Sequence, residues 1–306
     1  MNSTGFQGTG REQPGIGTVD LLDLPVRADG FTDEAELFIL SHFHRDHMEG
    51  LDRGWSKGPL LCSPTTAALL RALVQVPDEN LVTIEPDETM ELQVAGEPLR
   101  VTALEANHCP GALMFVLERA GRKIIYTGDF RLDDHLRAKR SIFEGAGRLY
   151  VDATYASPEY SFPTQDESVA VILDKVRKNA NKEILLAIYT IGKTRIVEAL
   201  CREFGKPVYV SKDKLKAYEA MGFGRHVTAD RSLAGFVGYS RAYFDRYFSW
   251  KKGRNPSNCL VIYPSGMCLN AKPRAGFFYV PYSEHCDWAE YCEFVEMVGA
   301  QEVVQT

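Results

Sequence analysis

The sequence has no pair of cysteines in CxxC spacing, no unbroken apolar run of about eighteen residues, and no opening stretch with the form of a secretory signal. The first absence argues against a disulfide framework. The seven cysteines, at positions 62, 109, 201, 259, 268, 286 and 292, are odd in number and scattered, as suits reduced thiols. The other two argue against a membrane span and against secretion. The expectation is a soluble intracellular protein without a membrane partner, nuclear in a eukaryote and cytoplasmic otherwise. An overall excess of positive charge is also lacking. The net charge of −6 and the pI near 5.7 do not mark a nucleic-acid binder by themselves.

The distribution of charge says more. Residues 160–275 carry 20 Lys/Arg against 10 Asp/Glu, and the remainder carries 15 against 31. An acidic frame interrupted by a basic block fits a metal-binding domain joined to one that meets an anionic substrate. The length of 306 residues, 45% of them hydrophobic, suffices for a large core or two packed domains.

Histidine is scarce, with seven in the chain, yet three fall within six residues in Leu40-Ser41-His42-Phe43-His44-Arg45-Asp46-His47. The stretch follows an apolar, strand-like run, Ala35–Leu40. Imidazole and carboxylate suit Zn²⁺ and related ions, which need several such groups converging on one point. His42 and His44, two apart in an extended segment, point the same way. Asp46 and His47 turn onto the start of the next element and can face a second ion. A second singular stretch, Ala106-Asn107-His108-Cys109-Pro110-Gly111-Ala112, reads as a turn bearing one histidine. A hairpin is expected from 112–118 and 123–126, its second strand running into Thr127-Gly128-Asp129. Glycine there permits close backbone approach, so Asp129 is a candidate bridging ligand. His285 has a similar setting; His135 and His226 read as structural.

Around these stretches the pattern predicts a loose arm over 1–15, a strand over Gly17–Leu22 with Asp20 at its end, and the first turns of a helix over Met48–Arg53. It also predicts a scaffold helix over Pro64–Gln75 and short strands over 80–106. Thr164-Gln165-Asp166-Glu167 has capping-box form ahead of a helix through Val176. A buried strand at 184–189 leads through Thr190-Ile191-Gly192-Lys193 to a helix over 194–204. That is a phosphate-binding arrangement, because free N–H groups at a helix start attract anions. The strand–helix pattern repeats over 207–221, as in a small parallel α/β unit. Gly276–Val280 is expected to return to the first domain and deliver His285, ahead of a helix over 287–298 and a strand over 302–305.

The HxHxDH stretch, the isolated histidine in a turn and the Asp of a TGD segment, in that order, resemble the metallo-β-lactamase superfamily. Further stretches narrow the resemblance: Leu149–Tyr155, Ser157–Pro163, Tyr189–Lys193 and Pro281–His285 look like the β-CASP nucleases, in the DNA cross-link-repair branch that includes Artemis and Apollo. The resemblance covers roughly residues 17 to 306, with residues 226–260 departing from the family pattern. The family's third β-CASP motif, Val in the DNA-acting branch and His in the RNA-acting one, would fall at or just past Thr306.

The resemblance implies an α/β fold: a metallo-β-lactamase αββα sandwich over 1–159 and 271–306, with a β-CASP α/β domain inserted over 160–270. It implies that His42, His44 and His108 hold one ion, that Asp46, His47 and His285 hold a second, and that Asp129 bridges. Asp152 would orient His285, and Asp20 would be the buried aspartate supporting the ligand shell. The expected cofactor is Zn²⁺, as one or two ions, with Mg²⁺ or Mn²⁺ an option at the second site. Lys193, Thr190, Ser283 and Tyr160 would hold a terminal 5′-phosphate. The implied activity is 5′→3′ hydrolysis of DNA, single-stranded or end-containing. The alternatives are an RNA-processing β-CASP nuclease, a structure-selective DNA endonuclease, a small-molecule hydrolase and a metal-stabilised scaffold that binds DNA ends. The basic block and the phosphate-type turn speak against small-molecule hydrolysis.

Overall fold

The computed structural model describes residues 23–189, 191–240 and 258–306. The arm, the strand expected over Gly17–Leu22, Asp20 and Thr190 lie outside the described residues.

Two sheets form the first layer pair. One is wholly parallel, in the order β1 (Val26–Ala28), β2 (Leu37–Ile39), β3 (Leu60–Cys62) and β4 (Leu81–Thr83). The other contains β5 (Thr89–Val94), β6 (Glu97–Glu105), β7 (Leu113–Arg119), β8 (Arg122–Tyr126), β9 (Arg148–Val151) and β16 (Glu302–Gln305), in spatial order 16-9-8-7-6-5. The β7–β8 hairpin is antiparallel as expected, and β8, β9 and β16 run parallel.

Period-two alternation explains how the layers divide. Along β7, Leu113, Phe115 and Leu117 point into a core shared with Val26, Leu37, Ile39 and Leu61 of the first sheet. The intervening Met114 and Val116 point outward to a second core, with Phe130, Leu136, Phe143 and Phe294. A strand buried on both faces needs apolar residues at every position, and LMFVL supplies them. On the outer face of the first sheet, helix α1 (Pro64–Leu69) is capped by Ser63 and continues into a π-helical turn, Leu70–Val74. On the outer face of the second lie α2 (Asp134–Ala138), α3 (Arg140–Phe143) and the helix Trp288–Val298, whose Phe294 ring packs 4.6 Å from that of Phe130. This is the expected αββα sandwich. The helical turns expected over Met48–Arg53 are absent: a short 3₁₀ turn, Arg45–His47, is followed by irregular chain through two glycines, Gly50 and Gly54.

The third sheet is parallel throughout, in the order β12 (Val227–Thr228), β11 (Val208–Tyr209), β13 (Phe236–Tyr239), β10 (Glu183–Ala187), β14 (Cys259–Pro264) and β15 (Phe277–Val280). Its helices include α4 (Gln165–Arg177), with the expected Thr164/Glu167 capping box, α5 (Thr194–Phe204) and α6 (Lys212–Ala220). One expectation is corrected here. The 276–280 strand does not return to the first domain but pairs with β14 at the edge of this sheet. Its alternate residues Phe277 and Tyr279 pack into that sheet's own apolar cluster. The chain returns only after Val280, through Pro281–Asp287 into the final helix, α7 (Trp288–Val298).

Candidate metal centre

Four loops at the ends of sandwich strands meet a fifth that returns from the third sheet: that after β2 carries His42, His44 and His47, that between β6 and β7 His108, that after β8 Asp129, that after β9 Asp152, and that between β15 and α7 His285. The loops after β2 and β8 cross closely. Gly128 has φ +51°, and a Cβ there would lie 2.5 Å from the Ser41 Cβ. Only glycine lets Asp129 approach His42.

The hydrogen bonds on the far side of each imidazole fix its tautomer. His108 Nδ1 donates to the Glu284 carbonyl at 2.8 Å, and His44 Nε2 donates to that of Ile191 at 3.3 Å. Ser41 Oγ gives its proton to Asp29 Oδ2 at 2.5 Å, so it accepts from His42 Nδ1 at 2.9 Å. Three unprotonated nitrogens therefore face one another: His42 Nε2 and His44 Nδ1 at 2.9 Å, and His44 Nδ1 and His108 Nε2 at 3.1 Å. Asp129 Oδ2 lies 3.5 Å from both His42 Nε2 and His108 Nε2. Facing lone pairs repel unless a cation lies between them. The edges of a tetrahedron of metal–nitrogen bonds of about 2.0–2.1 Å are about 3.3–3.4 Å, close to this spacing. The residues fit a divalent ion.

The same logic extends to the neighbouring groups. His47 Nδ1 donates to Asp29 Oδ2 at 2.7 Å, leaving Nε2 turned to Asp129 Oδ1 at 3.3 Å. His285 Nδ1 donates to Asp152 Oδ2 at 2.7 Å. Asp152 Oδ1 in turn accepts from the backbone N–H and hydroxyl of Thr154. Asp129, Asp152 and His285 place ligand-type atoms within 4.8 Å of one another, as do His42, His44, His108 and Asp129. Asp46 is less enclosed: its carboxylate is 75% exposed, with Oδ2 4.0 Å from His47 Nε2.

Electrostatics divides the cluster into two halves. Burial, then neighbouring histidines, holds His42 far below the ordinary imidazole range and brings His44 to about 3; burial also lowers His108. These three stay neutral, as ligands must. Burial acts downward on His47 too, but Asp29 and Asp129 outweigh it and raise it to about 11. Asp152 and Asp129 likewise overcome burial at His285 and raise it to about 9. Burial alone would raise the Asp129 carboxyl; His285, His47 and His108 instead hold it well below the carboxylate range. The carboxylates thus draw positive charge to this half of the cluster, which protons or a second cation can supply.

The buried carboxylate beneath the shell is Asp29. It accepts from Ser41 N and Oγ, His47 Nδ1 and Tyr126 Oη at 2.5–2.7 Å. Asp20, expected from the sequence in this role, lies outside the described residues. Asp29 also follows a strand, β1, but pairing of β1 with β2 is what sets it beside Ser41. Arg131 was missed as well. It is buried and donates to Ser283 O at 3.0 Å, Pro163 O at 3.0 Å and Glu290 at 3.2 Å, joining the Asp129 loop to the His285 loop.

Above the cluster opens a cleft of about 730 Å³, lined by His44, Asp46 and Asp129 together with Tyr155, Tyr189 and Lys193. Ser283 lines it too, although its hydroxyl is engaged with the backbone N and O of His285. Tyr160 does not line the cleft; it backs the Tyr155 ring at 4.8 Å. Lys193 holds its Nζ 4.0 Å from the centre of the Tyr189 ring. At the helix start expected to be open, the Glu284 carboxylate accepts the Lys193 backbone N–H at 2.7 Å, so a protein side chain takes that one donor.

The beta-lactamase superfamily domain matches residues 15–196. The chain is 32% identical over 273 residues to the 5′ exonuclease Apollo of Gallus gallus, covering 88% of this chain and 58% of that protein. It is 27% identical to the DNA cross-link repair 1A protein of Mus musculus, covering 96% of this chain and 30% of that one. It therefore spans little more than half the length of the first and less of the second. In fold it is similar to a protein of unknown function from Enterococcus faecalis V583, with a TM-score of 0.59 and 16% identity over 90% of this chain and 77% of that one. With a domain match over more than half its length and a histidine–aspartate cluster at the strand ends of an αββα sandwich, the chain belongs to the metallo-β-lactamase superfamily, in its β-CASP DNA cross-link-repair branch.

Proposed function

We propose that the chain is a Zn²⁺-dependent DNA nuclease that removes nucleotides 5′→3′ from 5′-phosphorylated ends in DNA cross-link repair. The observation that carries this reading is the trio of facing imidazole lone pairs on the floor of the cleft. His42, His44 and His108 would hold one ion, Asp46, His47 and His285 a second, and Asp129 would bridge. Zn²⁺ suits the all-histidine set, while Mg²⁺ or Mn²⁺ suits the second, whose carboxylates are harder ligands. Such ions would supply an acidified water and neutralise charge on the phosphodiester.

The remaining chemistry belongs to the protein. Asp152 keeps the proton on His285 Nδ1, which leaves Nε2 as the donor atom. Asp29 does the same for His47. Lys193 lines the same cleft as His44, Asp46 and Asp129, where its ammonium can attract a terminal phosphate. The basic surplus of residues 160–275 would attract the rest of the strand. The similarity to relatives named as a 5′ exonuclease and a cross-link repair protein favours DNA and the 5′ end.

The test is the product ladder from 3′-labelled single strands carrying either a 5′-phosphate or a 5′-hydroxyl, with and without Zn²⁺, beside RNA of the same sequence. Stepwise shortening of the phosphorylated DNA, dependent on metal, is the expected result. Faster cleavage of the RNA strand would move the chain to the RNA-processing reading. Internal cuts without shortening from the end would make it an endonuclease.

A further inference from the structure

Glu284 faces two ways. Its backbone carbonyl accepts the Nδ1 proton of His108, and its carboxylate Oε1 accepts the backbone N–H of Lys193 and stands 3.4 Å from the Tyr282 hydroxyl. Lys193 is the N-cap of α5 and has left-handed backbone, with φ 58°. Beside it Gly192 has φ +100°, and a Cβ there would come 3.0 Å from Glu284 Oε2. One residue earlier, the Ile191 carbonyl accepts from His44 Nε2. The turn of the inserted domain thus supports two of the three converging histidines: His44 directly, and His108 through Glu284. These contacts join residues 147, 91 and 176 positions apart, and none forms part of a sheet.

We infer that Glu284 is a positioning residue that ties the Ile191–Lys193 turn to His108, so that the inserted domain completes the metal shell. The inference rests on the metal-nuclease reading for the role of His108 as a ligand. A carboxylate on the first N–H of a helix is favoured by the helix dipole and by a charge-assisted hydrogen bond. That bond fixes residue 284, and with it the carbonyl that selects the His108 tautomer. The cleft wall that carries Lys193 and the metal ligands are therefore joined through one side chain. Loosening the turn loosens the metal.

The experiment uses the full chain loaded with zinc and follows zinc release to an excess of chromogenic chelator, alongside kcat and KM on 5′-phosphorylated single strands. Glu284→Ala is expected to release zinc about 10–100-fold faster, the range typical for lost outer support of a metal ligand, with a fall in kcat. Glu284→Gln keeps an oxygen to accept the Lys193 N–H and is expected to hold zinc nearly as the parent does. Gly192→Ala attacks the same contact from the other side, with Glu284 intact, and is expected to behave like Glu284→Ala. Thermal melts of the zinc-loaded proteins identify any variant that fails to fold. Unchanged zinc release in both Glu284→Ala and Gly192→Ala overturns the inference. So does equally fast release from Glu284→Ala and Glu284→Gln, which would make charge rather than the tie responsible. A parent chain that takes up no zinc overturns the metal reading itself, and this inference with it.

Discussion

Asp152 Oδ2 lies 2.7 Å from His285 Nδ1, although the two residues are 133 positions apart. One ends a strand of the sandwich, and the other lies in the loop by which the chain returns from the inserted domain. Their contact closes the cluster across that insertion, and it holds a proton on His285 Nδ1.

Asp152→Asn offers an amide where a charged acceptor stood, so the His285 tautomer is no longer fixed. Affinity for the second ion and turnover are expected to fall about 10–100-fold. An ion at the proposed site of His42, His44 and His108 should remain, because none of them touches Asp152. Metal analysis after dialysis, set against kcat, checks this: loss of both ions would show that the two halves of the cluster bind as one.

Asp29→Asn leaves His47, Ser41 and Tyr126 with a weaker, uncharged acceptor in a buried site. Removing one partner of a buried, hydrogen-bonded charge costs about 3–5 kcal/mol. Tyr126→Phe removes a single donor to that charge and should cost about 1.5–3 kcal/mol. Urea unfolding of the two variants should preserve that order, and a smaller loss for Asp29→Asn than for Tyr126→Phe would refute the role given to Asp29.

Lys193→Ala keeps the backbone N–H that Glu284 binds and removes only the ammonium above Tyr189. A terminal phosphate carries more charge than an internal diester, so the loss should concentrate on 5′-phosphorylated ends. Rates for both proteins on phosphate and hydroxyl ends form a cycle with an expected coupling of about 1–3 kcal/mol. Equal slowing on both ends would mean that Lys193 does not read the terminus.

Lys214 is buried on α6 and donates to the Ile188 carbonyl at 3.0 Å, just before the cleft-lining Tyr189. Burial pulls its ammonium from 10.5 down to about 8. Because the folded pKa is the lower one, the unfolded chain binds the proton more tightly. The penalty is then full below pH 8 and fades as pH rises toward 10.5. Stability relative to Lys214→Met should therefore increase across that window, by on the order of 2–3 kcal/mol. Urea midpoints for both proteins at four or so pH values measure it. A constant difference would place the ammonium in contact with solvent.

The sequence by itself determined what local chemistry controls. Thr164 and Glu167 close their capping box within four residues, β7 and β8 turn back through Arg119–Arg122, and alternation along LMFVL makes a strand with two buried faces. The candidate ligands were legible for the same reason: imidazoles two and three positions apart, and a glycine before Asp129, are dense local signals. Only the tertiary structure decided what supports them. Asp29 is one carboxylate among many until β1 pairs with β2 and brings it under Ser41 and His47. Arg131 reaches Ser283 and Glu290, and Glu284 reaches Lys193 and His108, all more than ninety residues away, so no spacing in the sequence could mark them. The start of α5 shows the difference most plainly. Its glycine, lysine and helix pattern reads as an anion site by local rules, and a glutamate from beyond β15 takes one of its donors. Hydrogen-bond valence is a property of the assembled loops, and one turn read alone cannot say which of its donors the rest of the chain has already claimed.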